Sequence, residues 1–226
     1  MASDTGGISL MKDELLAKRL RLYLICGEGL TPGRMMQKVS SALNGGVTAV
    51  QLRAKTWSSR EIYMAACELR EMTKKHGALF IVNDRLDIAL ACKADGAHLG
   101  QSDIPICAAR EAAGPGFVIG GTARTPDFAL EAEKSGADYI GCGSAFATKT
   151  KDDAVVIGPG GIKKVTEQVK IPVVAVGGIT AENAYLLAGC GCSGISLSAG
   201  IMRCDDPEES ARALYRIANL ITDRQL

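Results

Sequence analysis

The feature that most limits how this chain can fold is a rhythm. Short apolar, β-rich runs recur along its 226 residues, and segments with helical periodicity separate them. The runs are Arg21–Cys26, Thr48–Leu52, Leu79–Val82, Ala97–Leu99, Phe117–Ile119, Tyr139–Cys142, Pro172–Val176 and Gly194–Ser198. They read as continuous apolar stretches rather than alternating ones, the pattern of parallel strands covered on their outer face. A doubly wound flavodoxin-like sheet also alternates strands with helices, but it uses fewer repeats; eight favour closure into a barrel. The expected fold is therefore α/β, a single (β/α)8 TIM barrel over residues 1–226. Residues 1–19 form a short N-terminal extension in which Lys12–Lys18 reads as an extra helix.

Helix starts fall between the runs. Ser58-Ser59-Arg60-Glu61 places a capping Ser three residues before a Glu. Thr125-Pro126 and Thr180-Ala181-Glu182 are starts of similar kind, and Asp206-Pro207-Glu208-Glu209 puts acids in the first turn of the last helix.

The formal net charge is +1, so no broad field favours nucleic acid or an anionic membrane. Any phosphate binding must come from local placement of Lys, Arg, metal and backbone N–H groups. The eight cysteines suggest a disulfide framework only in a small secreted chain. Here the first ten residues lack a basic stretch followed by an apolar one, and most cysteines sit in apolar or small-residue runs. The expectation is reduced thiols and a cytoplasmic protein. Cys190-x-Cys192 has too few neighbours for zinc, since the chain has two histidines. No run approaches the roughly 18 apolar residues that span a bilayer. Self-association into a homo-oligomer is compatible with all of this.

In an eight-stranded α/β barrel, chemistry sits where each strand ends and its loop begins. After the second run comes Gln51-Leu52-Arg53-Ala54-Lys55, where alternation sends Gln51, Arg53 and Lys55 to one side. After the third comes Asn83-Asp84, and after the fourth Gly100-Gln101-Ser102-Asp103. Asp84 and Asp103 either cap the helices that follow or face each other, sharing a proton or holding a hard cation. The neighbouring cations favour a phosphate-bearing substrate with Mg2+. After the fifth run comes Gly120-Gly121-Thr122, where the glycines allow close backbone approach and Thr122 offers a hydroxyl. A long loop from Gly143 to about Gly161 carries Thr148-Lys149-Thr150-Lys151, suited to pyrophosphate. Gly177-Gly178-Ile179-Thr180 and Ser198-Ala199-Gly200 follow the last two runs, where such barrels hold a phosphate. The residues thus give two phosphate sites, one bound to metal, without naming the substrates.

Gln51-x-Arg53-x-Lys55, Val82-Asn83-Asp84, Gly96-x-His98-x-Gly100-Gln101-x-Asp103, Thr148-x-Thr150-Lys151 and Gly177-Gly178-Ile179-Thr180 occur in that order. As a set the chain resembles the thiamine-phosphate synthase family, from about Leu22 to Ile221. The resemblance implies condensation of hydroxymethylpyrimidine diphosphate with a thiazole phosphate, or its carboxylated form, giving thiamine phosphate and pyrophosphate. It implies that Gln51, Arg53, Lys55, Asn83, Thr122 and Lys151 bind the pyrimidine diphosphate, with Leu52 and Ala54 in the same stretch. Asp84 and Asp103 would hold Mg2+. Thr148, Lys149 and Thr150, with Gly178, Ser198 and Ala199, would line the thiazole phosphate site. The implied mechanism is dissociative: pyrophosphate leaves, the pyrimidine stabilises the cation, and the thiazole nitrogen attacks. Such a reaction needs charge neutralisation on the leaving group more than a general base. That makes Lys151, Arg53 and Thr122 the catalytic candidates and His98 a structural residue. Thr122 replaces the family's usual Ser, and Ala199 stands where a Ser often holds phosphate. A thiazole tautomerase on the same barrel is the nearest alternative, but it lacks the Asn-Asp pair and the second metal Asp. A sugar-phosphate epimerase would need metal-binding histidines or a carboxylate base pair. A non-catalytic ligand sensor would not need both a metal pair and a lid.

Overall fold

The computed structural model describes residues 13–148 and 155–222. The apolar runs become eight strands: β1 (Leu22–Gly27), β2 (Ala49–Arg53), β3 (Leu79–Asn83), β4 (Gly96–Leu99), β5 (Val118–Ala123), β6 (Tyr139–Cys142), β7 (Val173–Val176) and β8 (Gly194–Leu197). Each pairs in parallel with its sequence neighbours, and β8 pairs back onto β1, so the barrel closes and no sheet edge remains. Helices cover the outside: α1 (residues 13–19), α2 (Pro32–Asn44), α3 (Ser59–Lys75), α4 (Leu86–Ala91), α5 (Ile106–Ala113), α6 (Pro126–Lys134), α7 (Gly158–Thr166), α8 (Ala199–Met202) and α9 (Pro207–Thr222). No helix among the described residues is long and apolar enough to cross a membrane.

The helix starts follow local chemistry. The Ser58 hydroxyl accepts from the Glu61 amide, and the Ser58 amide donates to Glu61 Oε2 at 2.8 Å, closing the capping box of α3. Thr125 caps α6 and Asp206 accepts from the amide of Glu209. The start expected at Thr180 does not develop. The Asn183 side chain accepts from the Thr180 amide and donates to the Gly178 carbonyl, both at 2.8 Å, which ties the chain into a turn. Only a 3-10 turn, Ala184–Leu187, follows.

Two clusters form the core. One lies between the strands and the outer helices. The other fills the barrel with Tyr23, Ala49, Leu79, Ile81, Tyr139 and Val174, and Leu16 and Leu20 around α1 join it. A side chain at Gly194, where β8 begins, would overlap the Leu20 carbonyl. The described part of the N-terminal extension is therefore a plug in the barrel floor. Two strand starts share another device: Asp95 accepts from the Phe80 amide and Arg70, and Asp138 from the Ile119 amide and Arg110. Each carboxylate pins a strand to its predecessor on the floor side.

β5 departs from the sequence reading. Gly120, Gly121 and Thr122 belong to the strand, not to the segment after it. A Cβ at Gly120 would overlap the Tyr139 ring, and one at Gly121 would come within 2.9 Å of Ile106. The glycines make room for protein side chains on both faces rather than for a ligand.

Candidate active site

At the carboxyl ends of β2 to β5 lies a cavity of about 290 Å3 lined by Arg53, Lys55, Asn83, Asp84, His98, Asp103, Thr122 and Arg124, among others. Arg53 ends β2, Asn83 ends β3, and each neighbouring residue sits one step into its loop. Asp84 has φ 61°, a left-handed conformation that Asp tolerates better than most residues. Its amide donates to the His98 carbonyl at 2.9 Å, so the bend is fixed by pairing with β4. Asp103 is oriented by the Gly100 amide, which donates to its Oδ2 at 2.6 Å.

The two carboxyls face each other. Burial first, then a hydrogen bond with Asp103 and repulsion from it, hold the Asp84 carboxyl above the usual range; Lys55, 3.5 Å away, pulls the other way. Such a pair can share a proton or hold a hard cation. Mg2+ fits better than a fully enclosed metal, because it takes one or two carboxylates and completes its shell with water and phosphate oxygens. The described residues contain no group of three or more His, Cys, Asp or Glu that could enclose a metal.

Beneath the mouth runs a line of polar side chains. Gln51, which alternation points inward with Arg53 and Lys55, is buried and its amide nitrogen donates to Tyr23 Oη at 2.7 Å. Tyr23 and Tyr139 hydroxyls are 2.9 Å apart, and Tyr139 reaches His98 Nδ1 at 3.0 Å. His98 Nε2 meets Thr122 Oγ1 at 2.9 Å. Tyr23 and Tyr139 were not singled out in the sequence. The available signal was a Tyr at inward parity in an otherwise apolar strand, which needs a buried partner for its hydroxyl. Arg124, unassigned from the sequence, lines the same cavity.

On the other side of the mouth, the loop after β6 is clamped at its base. The Ile157 amide donates to the Ser144 carbonyl at 2.9 Å. Gly178, φ 66°, lies under this loop, where a Cβ would come within 2.6 Å of the Phe146 and Ala147 carbonyls. The need for Gly178 thus has a reason within the protein itself, apart from any phosphate. Ser198 and Ala199 open α8, and Ser198 makes no side-chain cap bond. Thr148 is among the described residues of the loop; Lys149, Thr150 and Lys151 lie outside the described residues. The side chains of Leu52 and Ala54 are buried in the outer core. Among the described residues, Ser196 Oγ is the buried side-chain polar atom without a hydrogen-bond partner. Ser196 pairs in register with Tyr23 and Val176, inward residues, so it points into the barrel; the sequence reading passed over it.

A family model described as thiamine monophosphate synthase matches residues 22–201. Thiamine-phosphate synthase of Pyrococcus furiosus is 46% identical over 202 residues, which is 89% of this chain and 96% of the relative. The Clostridium novyi protein of the same name is 45% identical over 199 residues, 87% of this chain and 98% of its own. The solved thiamine phosphate pyrophosphorylase from Pyrococcus furiosus superposes with a TM-score of 0.85 at 43% identity, covering 91% of this chain and 98% of its own. A 3-hexulose-6-phosphate synthase from Salmonella typhimurium, at 16% identity and a TM-score of 0.68, shares the fold alone.

Proposed function

The chain belongs to the thiamine-phosphate synthase family, transferases that release pyrophosphate, and on that premise we propose that it joins hydroxymethylpyrimidine diphosphate to a thiazole phosphate. The bond between the pyrimidine methylene carbon and the diphosphate oxygen breaks, and the oxygen keeps the electron pair. The thiazole nitrogen then supplies the pair for the new carbon–nitrogen bond. The products are thiamine phosphate and pyrophosphate.

The observation that carries this reading is the mouth of β2 to β5, where Arg53, Lys55 and Arg124 share one cavity with the facing Asp84 and Asp103. Charge builds on the leaving diphosphate as its bond breaks. Preorganised cations there stabilise the transition state more than the ground state. Asp84 and Asp103 are the residues that would hold Mg2+, which would supply further charge neutralisation to the leaving group. Thr122 offers a hydroxyl to them from β5. Lys151 supplies a further cation from the β6 loop, and Gly178, Ser198 and Ala199 receive the thiazole phosphate between the last two loops. Eight free thiols suit a reducing compartment, hence the cytoplasm.

The test is direct. The protein is incubated with both substrates and Mg2+, and thiamine phosphate and pyrophosphate are quantified, with each substrate omitted in turn. Equal amounts of the two products, requiring both substrates, are expected. Absence of thiamine phosphate, or conversion of the thiazole alone, rejects the reading.

A further inference from the structure

Gln51, Tyr23, Tyr139, His98 and Thr122 form one hydrogen-bonded line through the barrel, with links of 2.7, 2.9, 3.0 and 2.9 Å. Such a line has a direction, because each hydroxyl brings one proton and a neutral imidazole brings one N–H. Burial pushes both phenols well above the ordinary tyrosine value, so each keeps its proton. Gln51 sets the direction at the inner end: its amide nitrogen, which can only donate, faces Tyr23 Oη. Tyr23 must then donate to Tyr139, and Tyr139 to Nδ1 of His98. His98 carries its proton on Nε2 and donates it to Thr122 Oγ1. The last proton, on Thr122, has no acceptor among the described residues, and Thr122 lines the cavity beside Arg53 and Lys55.

The outer end agrees with the inner one. A diphosphate presents acceptor oxygens only, so a hydroxyl fixed as a donor matches it and one fixed as an acceptor does not. We infer that this line holds Thr122 as a hydrogen-bond donor to the departing diphosphate, with His98, Tyr139 and Tyr23 as positioning residues that act through it. The inference deepens the proposed function and rests on it for the identity of the acceptor. The direction of the line stands apart from it.

The direction is read without substrate. The chain has two histidines, and His76 lies far from the mouth on the end of α3. His76→Gln therefore leaves His98 as the sole imidazole for nitrogen NMR of the ligand-free protein. The expected spectrum is a neutral ring with Nε2 protonated and Nδ1 bare. A ring protonated on Nδ1, or on both nitrogens, overturns the inference. Tyr139→Phe in the same background cuts the line and removes the lock, so the Nδ1–H form becomes populated; an unchanged tautomer overturns it too. The donor role is read by kinetics. Thr122→Val should lower kcat/KM for the pyrimidine diphosphate roughly 10- to 100-fold, the scale of one hydrogen bond to a charged group. The KM for thiazole phosphate should stay near wild type, and Thr122→Ser should recover most of the loss. Equal loss in Val and Ser, or a change confined to thiazole phosphate, overturns the donor role. If wild type makes no thiamine phosphate, the functional reading fails instead, whatever the tautomer.

Discussion

Asp84 concentrates the tension of the site in one residue. Its backbone is left-handed, its carboxyl is half-buried against Asp103, and Lys55 offsets only part of the repulsion. A carboxyl held above its unfolded value binds its proton more tightly in the native state. The stability it contributes is full below the ordinary aspartate range and is lost as pH rises through the raised value. At neutral pH an ionised Asp84 therefore weakens the metal-free fold. Asp84→Asn, which still suits a left-handed backbone, should raise the metal-free Tm at neutral pH and leave it unchanged in acid. Mg2+ should raise the Tm of wild type at neutral pH and not that of the variant. Thermal melts across pH with and without Mg2+ check both, and a variant less stable than wild type at neutral pH contradicts the argument. Ser196 carries the opposite signature, a buried hydroxyl with no partner. Ser196→Ala removes an unsatisfied group and should stabilise the ligand-free protein by about 1 kcal/mol in chemical denaturation.

Among the elements, β5 and the β6 loop decide the shape of the mouth. β5 can run past Gly120 only because that residue has no side chain where the Tyr139 ring lies. Gly120→Ala forces a methyl group into a packed ring and should cost at least the ~1–3 kcal/mol typical of overpacking, read as a lower denaturation midpoint at an unchanged slope. The described ends of the β6 loop are tied together, Ser144 to Ile157, and the stretch at Phe146 and Ala147 rests on Gly178. Lys151 belongs to the same loop in sequence and lies outside the described residues. Lys151→Ala should lower kcat by roughly a hundredfold, the scale of one lost preorganised electrostatic contact. Lys149→Ala is the internal control. A crippled Lys149 variant beside a silent Lys151 variant would move the register of the loop and of Thr148 and Thr150 with it.

At the scale of the whole molecule, the barrel has a working end and a holding end. The carboxyl ends of the strands carry the cations and carboxylates. The opposite end carries α1, with Leu16 and Leu20 packed into the barrel core, and the Arg70–Asp95 and Arg110–Asp138 pairs. Leu20 is fully buried. Leu20→Ala should cost about 2–5 kcal/mol, as buried Leu truncations do, while kcat/KM measured below the melting transition stays near wild type. A catalytic loss without a stability loss would mean that floor and mouth are coupled.

The sequence alone determined the number of strands, their parallel order and the ends at which charged residues gather. Those follow from local rules, since apolar runs of strand length separated by helical periods leave few closed arrangements. Arg53, Lys55, Asn83 and Asp84 were legible for the same reason: they directly follow an apolar run, and a strand end points its next residues at the mouth. Asp103 needed one step more, a short loop after β4. The tertiary structure alone decided the rest. Gly120 and Gly121 read as lying past the end of the strand because the apolar run stops at Ile119, and only Tyr139, brought alongside from the neighbouring strand, shows why they belong to β5. Thr180 read as a helix start until Asn183 was seen to close a turn on it. The line from Gln51 to Thr122 joins residues from β1, β2, β4, β5 and β6, and hydrogen bonds between such distant positions leave no period or spacing in the chain. They exist only because closing the barrel turns five inward side chains toward one axis.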